Sequence, residues 1–179
     1  MADLLIVTGP PGAGKSTVAR LLADRFEPSA LVEGDAFFAF LARGAIEPWL
    51  PESADQNHVV IQAAATAAGR FAAGGITTIY DGVLGPWFLA PFAAASGLEA
   101  LDYVVLMPSE DRCVEQVAGR TGHEFADEAA TRQMHREFAR AAVDPRHVVV
   151  DPDPCPEAVA DTIVAALAAR RLRYEVDGR

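Results

Sequence analysis

The sequence predicts an α/β protein, a three-layer α/β/α sandwich built on a five-stranded parallel sheet with a small helical lid. Three observations carry this. Short apolar, β-branched runs alternate with alanine-rich amphipathic stretches along the chain, as strands do when helices cover both faces of their sheet. The first run, Leu4-Leu5-Ile6-Val7-Thr8, leads straight into a glycine-rich loop, and residues at helical spacing follow it. At 179 residues the chain suits one domain that buries roughly 70% of its unfolded surface, so residues 1–179 are read as a single unit.

The first strand, near residues 3 to 8, feeds Gly9-Pro10-Pro11-Gly12-Ala13-Gly14-Lys15-Ser16, a full match to the phosphate-binding pattern G-x-x-x-x-G-K-[ST]. A triphosphate needs a loop whose backbone N–H groups all point inward, and glycine permits that curl while the next helix offers its positive end. Lys15 is the only lysine in the chain; apart from histidine, all other basic residues are arginine. Its ammonium suits the β- and γ-phosphates and the Ser16 hydroxyl suits Mg²⁺, which makes Gly12, Ala13, Gly14, Lys15, Ser16 and Thr17 the nucleotide-binding candidates. Val18, Leu21, Leu22, Arg25 and Phe26 then follow helical spacing over residues 15 to 26.

A second strand near 29 to 33 ends in Glu33-Gly34-Asp35, and a helix is expected over 36 to 43. Pro48 and Pro51 break the chain before a long helix at 55 to 73, which carries His58. Gly74-Gly75 precedes the third strand, 76 to 80, which runs into Asp81-Gly82; Gly85-Pro86 then opens a helix over 86 to 95. The fourth strand, 102 to 107, leads through Pro108-Ser109 into a helix at 110 to 120 bearing Arg112 and Gln116. Residues 120 to 140 read as the lid: a polar, glycine-bearing segment, Arg120-Thr121-Gly122-His123-Glu124-Phe125, before a helix at 127 to 141. The fifth strand, 147 to 151, is followed by a proline-rich loop through Pro156 and a helix at 156 to 170, with the tail expected to fray from about Arg171.

The net charge of −10 argues against a nucleic-acid surface, which needs clustered positive charge. The N-terminal apolar run is too short for a signal-peptide core or a membrane span, so a cytoplasmic protein without a membrane partner is expected. Cys113 and Cys155 are too few for a disulfide framework and lack metal-ligand spacing, and are read as reduced and structural. A monomer or homodimer is the expected assembly.

Ligands of open parallel sheets gather beyond the carboxyl ends of the strands. Phosphoryl transfer requires there an orienting group or base at the acceptor hydroxyl, a metal, and positive charge around the transferred group. Asp35 is the candidate on the acceptor side, with a helix N-cap as its structural alternative. Glu33 or Asp81 suits a Mg²⁺-bound water, although Asp81-Gly82 is equally a common turn pair. Arg132, Arg136 and Arg140 recur every four residues, so their guanidinium groups share one helical face. They repel unless an anion or an acidic partner lies there; Arg120 and Arg132 are the catalytic candidates among the arginines, and Arg136 a substrate contact.

These residues together resemble the small P-loop kinases, the group that includes shikimate kinase, gluconate kinase, adenylate kinase and chloramphenicol phosphotransferase. The resemblance spans nearly the whole chain and rests on the Gly9 to Ser16 loop, Glu33-Gly34-Asp35, the Arg120 lid and the loop from Asp151 to Pro156. It implies a sheet order of 2-3-1-4-5, ATP and Mg²⁺ as cofactors, and a small hydroxyl-bearing acceptor as partner. It also implies that Asp35 contacts the acceptor hydroxyl, that Arg120 touches the nucleotide phosphates, and that adenine stacks between Gln116 or Arg112 and Asp153 or Pro154. Glu33 stands where such kinases carry the first aspartate of a D-x-D-like pair. No arginine pattern of the kind that clamps shikimate or AMP follows Asp35; Arg43 is the only cation nearby. Phe37, Phe38, Phe40, Trp49, Trp87 and Phe88 instead put aromatic surface near the acceptor, with Phe38, Arg43, His58, Asp81 and Gly82 as further acceptor contacts. The reading is therefore an ATP-dependent phosphotransferase that moves the γ-phosphoryl group to a hydroxyl of a small organic molecule, with an antibiotic or aromatic alcohol as the favoured class. Its alternatives are a non-catalytic ATP-binding switch and a kinase of a nucleotide-sugar or nucleic-acid end.

Overall fold

The computed structural model describes residues 4–119, 127–150 and 155–176. Strands β1 (Leu4–Thr8), β2 (Ser29–Glu33), β3 (Thr77–Asp81), β4 (Ala100–Met107) and β5 (Val148–Val150) form a parallel sheet in the order β2-β3-β1-β4-β5. Helices α1 (Lys15–Ala23), α2 (Gly34–Phe38), α3 (Ala54–Ala73), α4 (Leu89–Ser96), α5 (Glu110–Ala118), α6 (Glu128–Arg140) and α7 (Pro156–Ala168) alternate with the strands. The architecture and sheet order are those expected from the sequence.

β1 lies at the centre and all five of its residues are buried, so its apolar run feeds two cores at once. Leu4 and Ile6 face a core shared with α3, α4 and Phe138, whereas Leu5 and Val7 face α1, α7 and Cys113. The two-residue period of a strand divides these side chains between the layers. α3 and α4 approach so closely that a Cβ on Gly69 would collide with the Ser96 carbonyl. Among the described residues no helix is long and apolar enough to cross a membrane.

The sheet has a sixth strand that was not expected. β6 (Arg173–Glu175) pairs antiparallel with Ala100–Asp102, the half of β4 that the shorter β5 leaves uncovered. Residues 171–176 are pinned rather than frayed. Arg171 donates its N–H to Ala166 O and Arg170 to Leu167 O, with Arg170 at φ 54, a left-handed helix termination that turns the chain back to the sheet. Leu172, only 3% exposed, then enters the core beneath α7.

Two helices also differ from expectation. α2 stops at Phe38 because two turns of 3₁₀ type, Phe40 N–H to Phe37 O and Leu41 N–H to Phe38 O, unwind its end before Gly44 turns at positive φ. Pro86 opens a 3₁₀ turn over Pro86–Phe88, and α4 begins only at Leu89. Neither cysteine forms a disulfide: Cys113 is buried, and Cys155 is exposed at the N-cap of α7.

Candidate active site

The phosphate loop joins β1 to α1 at the carboxyl edge of the sheet. Gly12 is held at φ 80 with its α-carbon against the Cys113 carbonyl of α5, where any Cβ would collide. The loop thus packs directly on the helix after β4. Gly14, at φ 85, is the N-cap of α1; no side chain caps this helix and no acidic residue occupies its first turn. Its amino end is open to an anion. Lys15 is 8% exposed and donates from Nζ to the Pro10 carbonyl at 3.0 Å, which holds its ammonium inside the curl of the loop.

Facing Lys15 and Ser16 is Asp81, the last residue of β3. It is 7% exposed, and its Oδ1 is buried without a hydrogen-bond partner. Burial pushes the carboxyl above its ordinary pKa, the Ser16 hydroxyl and the Lys15 ammonium oppose that rise, and Asp35 and Glu33 add to it. A buried carboxylate oxygen left unpaired beside a serine hydroxyl fits a magnesium ion, which keeps most of its water shell and takes few protein ligands. Glu33 sits in register with Asp81 but is exposed, and its Oε1 accepts from Arg20 at 3.2 Å. Thr8, buried at the end of β1, exchanges two hydrogen bonds with the backbone of Leu84, donating to its carbonyl at 3.0 Å and accepting from its N–H at 2.8 Å. This pair fastens the Asp81-Gly82 loop to the central strand.

Asp35 lies within the first turn of α2 and is exposed. Glu33 occupies the N-cap position and no side chain caps the helix, so Asp35 does not serve the capping role that was its alternative. Phe37 and Phe40 meet edge to face at 5.5 Å on this helix and its extension, with Phe40 75% exposed; Phe38 is half-buried and Arg43 exposed. His58 begins the long helix α3, with its ring 6.5 Å from Phe88 and its Nε2 at 2.9 Å from Gln62 Nε2. Trp87, half exposed, stacks at a tilt on Phe88 and on Phe138 of α6. Trp87, Glu137, Arg140 and Ala141 line an open groove of about 350 Å³.

The arginines of α6 meet acids at the start of α5. Arg132 donates to Glu110 at 2.9 Å, to Asp111 at 3.1 Å and to Glu128 at 3.1 Å, and Arg136 donates to Glu110 Oε2 at 3.1 Å. Glu110 is the acidic partner that relieves their mutual repulsion, and Arg136 and then Arg132 hold its carboxyl below the usual range. His135 donates from Nε2 to the Pro108 carbonyl at 2.8 Å, a third tie between α6 and the end of β4. Glu110 was not singled out from the sequence; its only signal there is an acid in the first turn after the Ser109 cap. Arg112, half-buried, and Gln116, exposed, both lie on α5, the helix against which the phosphate loop packs. Arg120, His123, Asp153 and Pro154 lie outside the described residues.

A family model described as AAA domain matches residues 4–145. No curated protein matches. Among solved structures, the chain is similar to an unliganded sugar kinase from Janibacter sp. HTCC2649 at 21% identity and a TM-score of 0.73, covering 94% of this chain and 95% of that one. It is similar to the tunicamycin resistance protein of Deinococcus radiodurans at 16% identity and a TM-score of 0.71, covering 93% and 96%. An APS kinase from Mycobacterium tuberculosis, solved with AMPPNP and APS, aligns at 17% identity and a TM-score of 0.70 over 93% and 98%.

Proposed function

From a chain that belongs to the AAA domain family and has the fold of small P-loop kinases, we propose an enzyme that transfers the γ-phosphoryl group of ATP to a hydroxyl of a small organic molecule. One observation carries this reading. Donor-side groups, Lys15, the open end of α1 and the unpaired Asp81 oxygen, share one cleft edge with Asp35, a carboxylate that no helix cap consumes. Burial raises the Asp81 carboxyl, Lys15 opposes that rise and Asp35 adds to it, which supports a donor side and an acceptor side at one cleft edge.

In this mechanism the loop amides and Lys15 bind the β- and γ-phosphates and neutralise the charge that spreads over the transferred oxygens. Ser16 and Asp81 would hold a Mg²⁺ ion, which would supply further charge neutralisation. Asp35 orients the acceptor hydroxyl for in-line attack and takes its proton as the new P–O bond forms and the bond to ADP breaks. Arg120 is the cationic contact in this reading, and Arg132 joins it by exchanging one of its carboxylate partners, Glu110, Asp111 or Glu128, for a phosphate oxygen. An aromatic hydroxyl compound or antibiotic is the acceptor class that the exposed rings of Phe40 and Trp87 favour. The likeness to a sugar kinase, an APS kinase and a tunicamycin resistance protein supports small-molecule chemistry in general.

The test is acceptor-dependent ADP release from ATP across hydroxylated antibiotics, sugars, nucleosides and aromatic alcohols, followed by Asp35→Asn. Turnover should collapse in the variant while ATP affinity survives. Normal ATP binding with no acceptor turned over by the parent protein would replace the kinase with a nucleotide-binding switch.

A further inference from the structure

Tyr80 precedes Asp81 on β3, and its ring belongs to the core beneath α3 and α4, meeting Phe92 edge to face at 4.8 Å. The residue is 2% exposed. Its hydroxyl does not point into that core. It lies along the strand toward the carboxyl edge of the sheet, between the α-carbons of Gly34 and Gly82, where a Cβ on either glycine would press on the phenolic oxygen. Gly34 immediately precedes Asp35, and Gly82 follows Asp81.

Neither glycine adopts positive φ, so the backbone does not require glycine at either place. The space around the hydroxyl does. The Tyr80 hydroxyl donates to no described residue, yet it is not among the fully buried side-chain atoms left without a partner, so its oxygen is not sealed in the core. A phenylalanine would fill the same core volume and present no donor there. Two clearances kept around an unpaired donor, at the floor of the cleft where β2 and β3 end, mark a group that finds its partner in a ligand.

We propose that the Tyr80 hydroxyl binds the acceptor, donating a hydrogen bond to a second oxygen of that molecule while Asp35 addresses the reacting hydroxyl. This rests on the kinase reading above and narrows its substrate class: the acceptor carries another hydroxyl, carbonyl or ether oxygen near the hydroxyl that is phosphorylated. Tyr80 touches substrate only, so its loss separates binding from chemistry.

The experiment uses Tyr80→Phe in the full chain. Without ligands its thermal midpoint should equal that of the parent, because the ring contact with Phe92 is kept and no hydrogen bond to a described residue is lost. A fall of several degrees would overturn the proposal by giving the hydroxyl a structural partner. In the acceptor screen at saturating ATP, the KM for an acceptor with a second oxygen should rise about tenfold, the worth of one hydrogen bond, with ATP affinity unchanged. The KM for its analogue lacking that oxygen should be the same in both proteins. If the parent turns over an acceptor and Tyr80→Phe matches it throughout, the Tyr80 assignment alone is wrong. If the parent binds ATP but turns over no acceptor, the kinase reading and the assignment fall together.

Discussion

Glu33 and Asp81 are register partners at the ends of β2 and β3, yet only Asp81 is turned to the phosphate loop, buried and with its Oδ1 unpaired. Helix α1 makes the difference. Ser16 and Arg20, four residues apart, share one face of α1, and Ser16 steadies Asp81 while Arg20 draws Glu33 outward.

That division predicts unequal substitutions. Asp81→Asn should cost about 10–100-fold in apparent Mg²⁺ affinity, the usual effect of losing a group that orients a metal's shell. Glu33→Gln should change it by less than threefold, roughly the scale of an exposed ion pair. Turnover titrated against Mg²⁺ at fixed ATP reads both, and equal losses would contradict the assignment of the metal-side acid to Asp81.

The same carboxyl makes a pH prediction. Because its folded pKa is raised, ionising Asp81 costs the fold stability; the penalty is complete above the folded pKa and absent below the unfolded value of 3.8. Asp81→Asn should therefore melt higher than the parent at pH 8, and the gap should close as pH falls toward 4. Parallel melting curves at pH 4, 6 and 8, without nucleotide, would show it, and a constant gap would refute the linkage.

Glu110 behaves in the opposite sense. Its folded pKa is lowered by Arg136 and Arg132, so its contribution is present above the unfolded value of 4.5 and is lost as pH falls through the folded one. Glu110→Gln should lower the thermal midpoint at neutral pH and low ionic strength, and the deficit should shrink in 1 M salt because these groups are within reach of solvent. Salt-independent destabilisation would point to packing instead of charge.

Gly69→Ala tests the packing of α3 on α4. The new methyl group meets the Ser96 carbonyl, so the helices must separate, at about 1–3 kcal/mol. Urea unfolding should move its midpoint down with little change in slope, while ATP binding at the distant loop persists.

Much of the site was legible in the chain because it is local. The curl of Gly9 to Ser16, the carboxylates after β2 and β3, and the arginine spacing on α6 are each set within a few residues by backbone freedom, strand ends and helical period. The partners of those groups were not legible. Glu110 lies 22 and 26 residues from Arg132 and Arg136, and nothing in either segment announces the other. Tyr80 reads as one more apolar strand residue until Gly34, forty-six positions earlier, is found beside its hydroxyl.

The layered fold, the order of its elements and the phosphate loop follow from the chain alone, through local propensity, periodicity and a contiguous motif. Long-range packing is what buries Asp81 and not Glu33 against Ser16, leaves Asp35 capping no helix, adds residues 173–175 to the sheet as β6, and brings the Tyr80 hydroxyl to the cleft. Each of those depends on which face of a strand or helix meets a distant segment, and burial, unlike propensity, is a property of that meeting.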